Sequence, residues 1–238
     1  SCAKDKDIQG CTDSTAVNFN SEATLEDDSC LFDSDGDGVY DNDEILGCTN
    51  DEACNFNIEA TDSDDSCEYA EEGYDCQGDL LISPEVGLEM FGGIVFYVDQ
   101  TGQHGLVVAM EEFGEFNWGC PGTILPGADG IEIGAGLQNT LDIVSGCSEV
   151  PIAASVALAY EGGGYTDWYL PSLNELIEMY NTIGQGSDNG NVGGFLENWY
   201  WTSTEDNSDA AYCYHFGYSA VGGNHRYGMI NVRVIRSF

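Results

Sequence analysis

TDWYLPSLNELIEMYNTI, Thr166 to Ile183, decides how the larger part of this chain is read. TDWYLP is aromatic and reads as a strand; the residues after it read as an amphipathic helix from Ser172 to Ile183, opened by Pro171 and a capping box of Ser172 and Glu175. Working outward, GGIVFYVD (Gly92 to Asp99) and HGLVVAM (His104 to Met110) predict a strand pair around the turn Gln100 to Gln103. A second amphipathic helix is expected from Val150 to Tyr160, and NWYWTST, AYCYHF and NVRVIRSF supply later strands. Strands and helices mixed in this way predict an α+β domain over residues 80–238.

Upstream of residue 80 the texture changes. The whole chain carries 43 Asp and Glu against 5 Lys and Arg, a formal net charge of -38. Residues 1–80 hold 24 of those acids and both lysines, leaving 19 acids and three arginines for the rest. Such a field repels phosphate backbones and anionic lipid surfaces, so nucleic acid is not expected as a partner. A compact acidic chain needs cations to offset its self-repulsion, which suits a calcium-rich or saline exterior, although solubility in salt water accounts equally well for scattered acids. No apolar run approaches the roughly 20 residues of a membrane span, and no signal peptide is evident, so the sequence reads as a mature chain.

The acidic third is an internal duplication. GCTDSTAVNFNSEATLEDDSC (Gly10 to Cys30) superposes on GCTNDEACNFNIEATDSDDSC (Gly47 to Cys67), matching Cys11 with Cys48, Asn18 with Asn55, Asn20 with Asn57, Asp27 and Asp28 with Asp64 and Asp65, and Cys30 with Cys67. Each copy keeps its first and last cysteine at the same separation, so Cys11–Cys30 and Cys48–Cys67 are the economical disulfides. Cys54 stands where the first copy has Val17, and only the second copy is followed by Cys76, which makes Cys54–Cys76 a third pair. Cys120 and Cys147 bracket a glycine-rich insert and are expected to pair as well. Ten cysteines, most of them in a segment poor in apolar residues, imply an oxidising compartment. The conserved-looking Asn and Asp-Asp positions of each copy suit either a second type of cation site or Asx turns and caps.

Between the copies lies DSDGDGVYDNDE. Asp33, Asp35 and Asp37 alternate carboxylates, Gly38 permits a sharp turn, Val39 offers a carbonyl, Asp41 stands at position nine and Glu44 closes at position twelve. That is the complete oxygen-ligand pattern for calcium, the expected cofactor. Amphipathic flanking helices are missing, so the loop is expected to act as a structural clamp and not as a sensor. It resembles the thrombospondin type 3 calcium repeat, and the flanking units resemble the short GCTD-type cysteine repeats found in tandem in secreted bacterial surface proteins.

The segment Glu205 to Ile230 is rich in Tyr, Asn, Ser, Gly and His and reads as a polar loop between apolar strands. Tyr212, Tyr214, His215, Tyr218, Asn224, His225, Arg226 and Tyr227 form a palette used for adaptable contacts and are the candidate ligand-binding residues, with an ordinary polar loop around an aromatic core as the competing reading. Arg226 is the arginine expected to meet a ligand. Arg233 and Arg236 alternate with Val232, Val234 and Ile235 and are expected to pair with internal carboxylates. Cys2 and Cys213 remain: Cys2 followed by AKDKD suits a lipid anchor at an outer membrane, and a Cys2–Cys213 bond within or between subunits is the rival.

WGCPGT, the stretch GLQNT-LDIV-SGC, YTDWYLPSLNEL, YWTSTE and VRVIRSF resemble, in that order, the bacterial Lcl C-terminal domain family, whose fold is similar to the C-type-lectin-like and formylglycine-generating-enzyme folds. The resemblance implies a C-type-lectin-like domain that binds glycans, and the polar segment resembles the variable region of retroelement-diversified lectin-like proteins. The expected organisation is a linker or anchor at 1–9, a cysteine repeat at 10–30, the calcium loop at 31–46, a second repeat at 47–79, and the lectin-like domain from 80. None of the three histidines sits in a catalytic motif, and the copper-binding cysteine pair of the formylglycine-generating relatives is lacking, so no catalytic residue is assigned and no enzyme is expected. The resulting expectation is a bacterial extracellular or cell-surface adhesin holding a glycan or protein ligand; the alternative is a homo-oligomeric subunit of a calcium-stabilised fibre or coat.

Overall fold

The computed structural model describes residues 7–71 and 73–238, in two compact units divided between Leu81 and Ile82. The expected domain boundary lay between residues 79 and 80.

The first unit is held by covalent bonds and turns. Among the described residues its buried apolar side chains are Cys11, Ala16, Cys48 and Ala53, far too few for a core of its own. Cys11 is bonded to Cys30, Cys48 to Cys67 and Cys54 to Cys76. The duplication is visible in the hydrogen bonds. Asn18 joins the ends of its copy by donating to the Ser29 carbonyl at 2.6 Å and accepting from the Leu31 amide at 2.8 Å; Asn55 does the same with Ser66 and Glu68 at 2.6 and 2.8 Å. Asn20 and Asn57 accept from the amides two residues on, as Asx turns do, and Asp28 and Asp65 take matching left-handed conformations at φ 59° and 61°. The Asn and Asp positions of the repeat thus serve as caps and turns. Each copy also receives the segment ahead of it identically: Thr24 accepts from the Ile8 amide and Thr61 from the Ile45 amide, both at 3.0 Å. In the second copy this contact continues as a two-residue parallel pairing of β1 (Leu46–Gly47) with β2 (Asp62–Ser63).

The second unit is α+β, with more sheet than helix. One sheet runs in the order β11 (Ile235–Ser237), β5 (Gly105–Val108), β4 (Gly93–Val98), β3 (Glu89–Met90); the other runs β6 (Glu115–Phe116), β10 (Ile230–Asn231), β7 (Trp199–Asn207), β8 (Ala210–His215), β9 (Ala220–His225). Three helices accompany them: α1 (Gly136–Gly146), α2 (Ala153–Leu158) and α3 (Leu173–Ile183). One side of β7 and β8 buries Trp201, Ala211 and Cys213 in a core with Trp118, Trp168, Ile143 and Val232; the other side buries Tyr200 and Tyr214 with Phe96, Leu176, Met179 and Phe216.

Several sequence expectations change. TDWYLP is extended and meets both sheets: Tyr169 exchanges backbone bonds of 2.8 and 2.9 Å with Ile235 of β11, and the Pro171 carbonyl accepts the Ser203 amide of β7 at 2.7 Å. The Trp168 indole donates to the Gly162 and Tyr165 carbonyls at 3.1 and 3.2 Å, and Asp167 accepts from Arg236. The helix expected from Val150 to Tyr160 is confined to Ala153–Leu158, beyond Pro151. Helix α1 was not anticipated, because its glycine flanks read as loop. Its buried Asn139 and Thr140 are held by the Gly130 and Leu170 carbonyls at 2.6 and 3.1 Å. The polar segment after Glu205 is mostly strand, β8 and β9, joined by tight turns.

All three arginines are internal. Arg226 pairs with Glu205 and lies 4.4 Å over the Trp118 ring, Arg233 reaches Glu112 at 3.0 Å, and Arg236 binds Asp167 through two nitrogens at 2.7 and 3.0 Å. Cys120 is bonded to Cys147.

Candidate functional site

The loop Asp33–Glu44 folds on its own carboxylates. Asp33 accepts the Gly36 and Gly38 amides at 2.7 and 3.2 Å, Asp35 accepts that of Asp37 at 3.2 Å, and Asp37 that of Val39 at 2.7 Å. Gly36 and Gly38, at φ 84° and 97°, supply the left-handed turns that this winding requires. As a result, carboxylate oxygens of Asp33, Asp35 and Asp37 lie within 4.8 Å of one another. A second triad, Asp35, Glu44 and Asp62, meets the same limit and shares Asp35 with the first. Asp41 is turned the other way, its two oxygens accepting the Ser34 amide and hydroxyl at 2.7 Å each.

Asp62 was not among the residues read from the loop. It belongs to β2 of the second cysteine repeat, at the position where the first repeat has Leu25. That substitution of an acid for a leucine, in the one copy that follows the loop, was the available signal. Crowding shows in the acid–base behaviour: a hydrogen bond with Asp62, then burial and the charges of Asp62, Asp41 and Asp35, push the Glu44 carboxyl up to about 7. Asp35 is also raised: the Asp37 amide works against this, but burial and the charges of Asp37, Asp62 and Asp33 prevail. All the donors are hard oxygens, the set that suits calcium or magnesium and not a soft metal. The other cysteine-bearing groups do not compete, since Cys11 and Cys30, and Cys120 and Cys147, are consumed in disulfides.

The eight candidate ligand-binding residues separate into three sets. Tyr218 and Tyr227 are 79% and 63% exposed, and His225 is exposed too. Tyr218 stacks on His215 at 4.2 Å between ring centres, and Tyr227 on His225 at 5.3 Å. Tyr212 and Asn224 are half-buried, Tyr212 bonding Asp206. Tyr214, His215 and Arg226 are buried, because strand alternation turns Tyr214 into the core, the Tyr218 ring covers His215, and Arg226 sits at 0% exposure among Glu205, Trp118 and the carbonyls of Thr123 and Asn207. The expected ligand contact at Arg226 is therefore corrected: it is a structural cation.

Cys213 carries a free thiol, buried and pushed up to about 12 by that burial. Cys2 lies outside the described residues. Among the described residues no helix is long and apolar enough to cross a membrane, and four disulfides are consistent with an oxidising setting outside the cytoplasm.

A two-unit, disulfide-bonded α+β chain is the class that this fold defines. No protein-family model matches it, and no curated protein does. Among solved structures it is similar to a fimbrial protein from Bacteroides ovatus ATCC 8483, at 15% identity and a TM-score of 0.42, over 75% of this chain and 50% of that one. The chain thus spans about half the length of that structure.

Proposed function

We propose that this chain is an extracellular bacterial surface protein in which calcium orders the N-terminal unit and the C-terminal unit, a C-type-lectin-like domain of the Lcl C-terminal type, binds a glycan or protein. The observation that carries the first half is the pair of oxygen triads sharing Asp35. Asp33, Asp35, Asp37 and Glu44 would hold the ion together with Asp62, and a divalent cation there neutralises carboxylates that otherwise repel one another. Because Asp62 comes from the second cysteine repeat, the ion ties loop to repeat. Its role on this reading is rigidity. The second half rests on the exposed rings of Tyr218, in the turn between β8 and β9, and of His225 and Tyr227, at the far end of β9, with half-buried Tyr212 and Asn224 on the strands between; rigid aromatics and short polar groups of this kind suit sugar or protein contacts. We read the domain as a binding module and not an enzyme.

Calorimetric titration of calcium into the protein tests the first half: binding is expected, weakened at least tenfold by Glu44→Gln and by Asp62→Asn. Unchanged affinity in both variants removes the site. For the second half, binding on a glycan or protein array that survives alanine at Tyr212, Tyr218 and Tyr227 together rules out this face.

A further inference from the structure

Strand β9 is an edge of the five-stranded sheet. Its register with β8 pairs Ala211 with Asn224, Tyr212 with Gly223, Cys213 with Gly222 and Tyr214 with Val221. The Arg226 amide, one step beyond, donates to the Asp209 carbonyl at 3.0 Å. Antiparallel ladders alternate, so Asn224, Gly222 and Ala220 also face β8, while the N–H and C=O of Val221 and Gly223 face away from it. Among the described residues nothing bonds those four groups. Val221 is 50% exposed, and the six residues Ala220–His225 include no charge and no proline, the two devices by which natural edges are usually closed.

The surroundings of Gly223 select the occupant. A Cβ at Gly223 would lie 3.2 Å from Oδ2 of Asp206, so on this face a carboxylate overhangs the edge and no side chain of β9 stands between it and an incoming strand. Asp206 is exposed and is fixed by the Tyr212 hydroxyl. A second copy of β9 would bring no cation to meet it. The three arginines are buried in ion pairs of their own, and two chains of net charge -38 repel. On the opposite face the space over Gly222 is filled by the Trp199 ring, 2.7 Å from a would-be Cβ.

We propose that the β9 edge binds an extended peptide segment of a partner protein by strand addition, with a lysine or arginine of that segment lying across Gly223 onto Asp206. Backbone bonds to Val221 and Gly223 supply affinity and the carboxylate supplies selectivity, the division of labour usual in strand addition. The inference specifies the protein-ligand side of the proposed function and shares only its location with the glycan reading.

The test is an NMR titration of the isotopically labelled full chain, in calcium, with a capped six-residue peptide alternating threonine and valine around a central lysine. The expected result is saturable shifts centred on the Val221 and Gly223 amides, weakened about threefold with glutamate replacing the lysine. Gly223→Pro removes an outward N–H without touching the β8 ladder and is expected to weaken binding at least tenfold. Asp206→Lys leaves the backbone alone and is expected to reverse the peptide preference, so the proposal stays testable if the proline variant does not fold. Absence of shifts, equal affinity for both peptides in the native chain, or an unreversed preference in Asp206→Lys overturns it; so does concentration-dependent self-association through the same amides, which would assign the edge to a second copy. A positive glycan array with a negative peptide titration sinks strand addition and leaves the recognition face standing.

Discussion

Arg226 shows how one side chain changes meaning once its neighbours are known. In sequence it stands among polar residues. In the fold its guanidinium is enclosed, paired with Glu205 and stacked on Trp118. Removing one member of a buried pair leaves the other charged and unsolvated, so Arg226→Leu is expected to destabilise the C-terminal unit by about 3–5 kcal/mol. Denaturant unfolding measures this directly, and a loss under about 1 kcal/mol would mean that the pair is solvated. Cys213 gives a second test. Burial raises its thiol from 9.0 to about 12, so between those values the unfolded chain ionises and the folded one does not. This contribution to stability is complete below pH 9 and lost as the pH rises toward 12. Cys213→Ala is expected to flatten the pH dependence in that window. Iodoacetamide at pH 8 is expected to label Cys213 only in denaturant, as peptide mass mapping would show.

At the scale of the element, helix α3 was legible because its signals are local. Ser172 accepts the Glu175 amide at 3.4 Å, and Glu175 accepts the Ser172 amide at 2.7 Å. Ser172 also donates to the Glu132 carbonyl at 2.7 Å, a contact from 40 residues away that no sequence pattern announces. Ser172→Ala is therefore expected to cost about 1–2 kcal/mol, the upper end for a lost cap, read as a fall in the melting temperature of the C-terminal unit. Strand β9 is the opposite case. Ala-Val-Gly-Gly-Asn-His has poor strand propensity and takes its form from β8 and from Trp199 packing over Gly222. Helix α1 was likewise hidden, since its ends are glycines and its buried residues are Asn139 and Thr140 as well as Ile143.

Across the whole molecule the two units obey different physics. The first has disulfides and carboxylates where the second has a tryptophan-rich core. Its loops span 19, 19 and 22 residues, each worth about 3 kcal/mol on a chain-entropy account. Reduction together with calcium chelation is expected to unfold residues 7–81 while the C-terminal unit keeps its aromatic circular dichroism. Loss of both signals in one cooperative transition would refute that independence. The sequence alone determined what local chemistry encodes: the duplication, the cysteine pairs within it, the alternating acids of Asp33–Glu44, the capped helix α3, and an α+β mixture downstream. Tertiary structure decided what depends on residues distant in the chain. It set Asp62 beside Glu44, turned Tyr214, His215 and Arg226 inward, and left the edge of β9 open under Asp206. Spacing along a chain reports which groups share a turn or a face, whereas burial and ligation are settled by which other segment arrives against them.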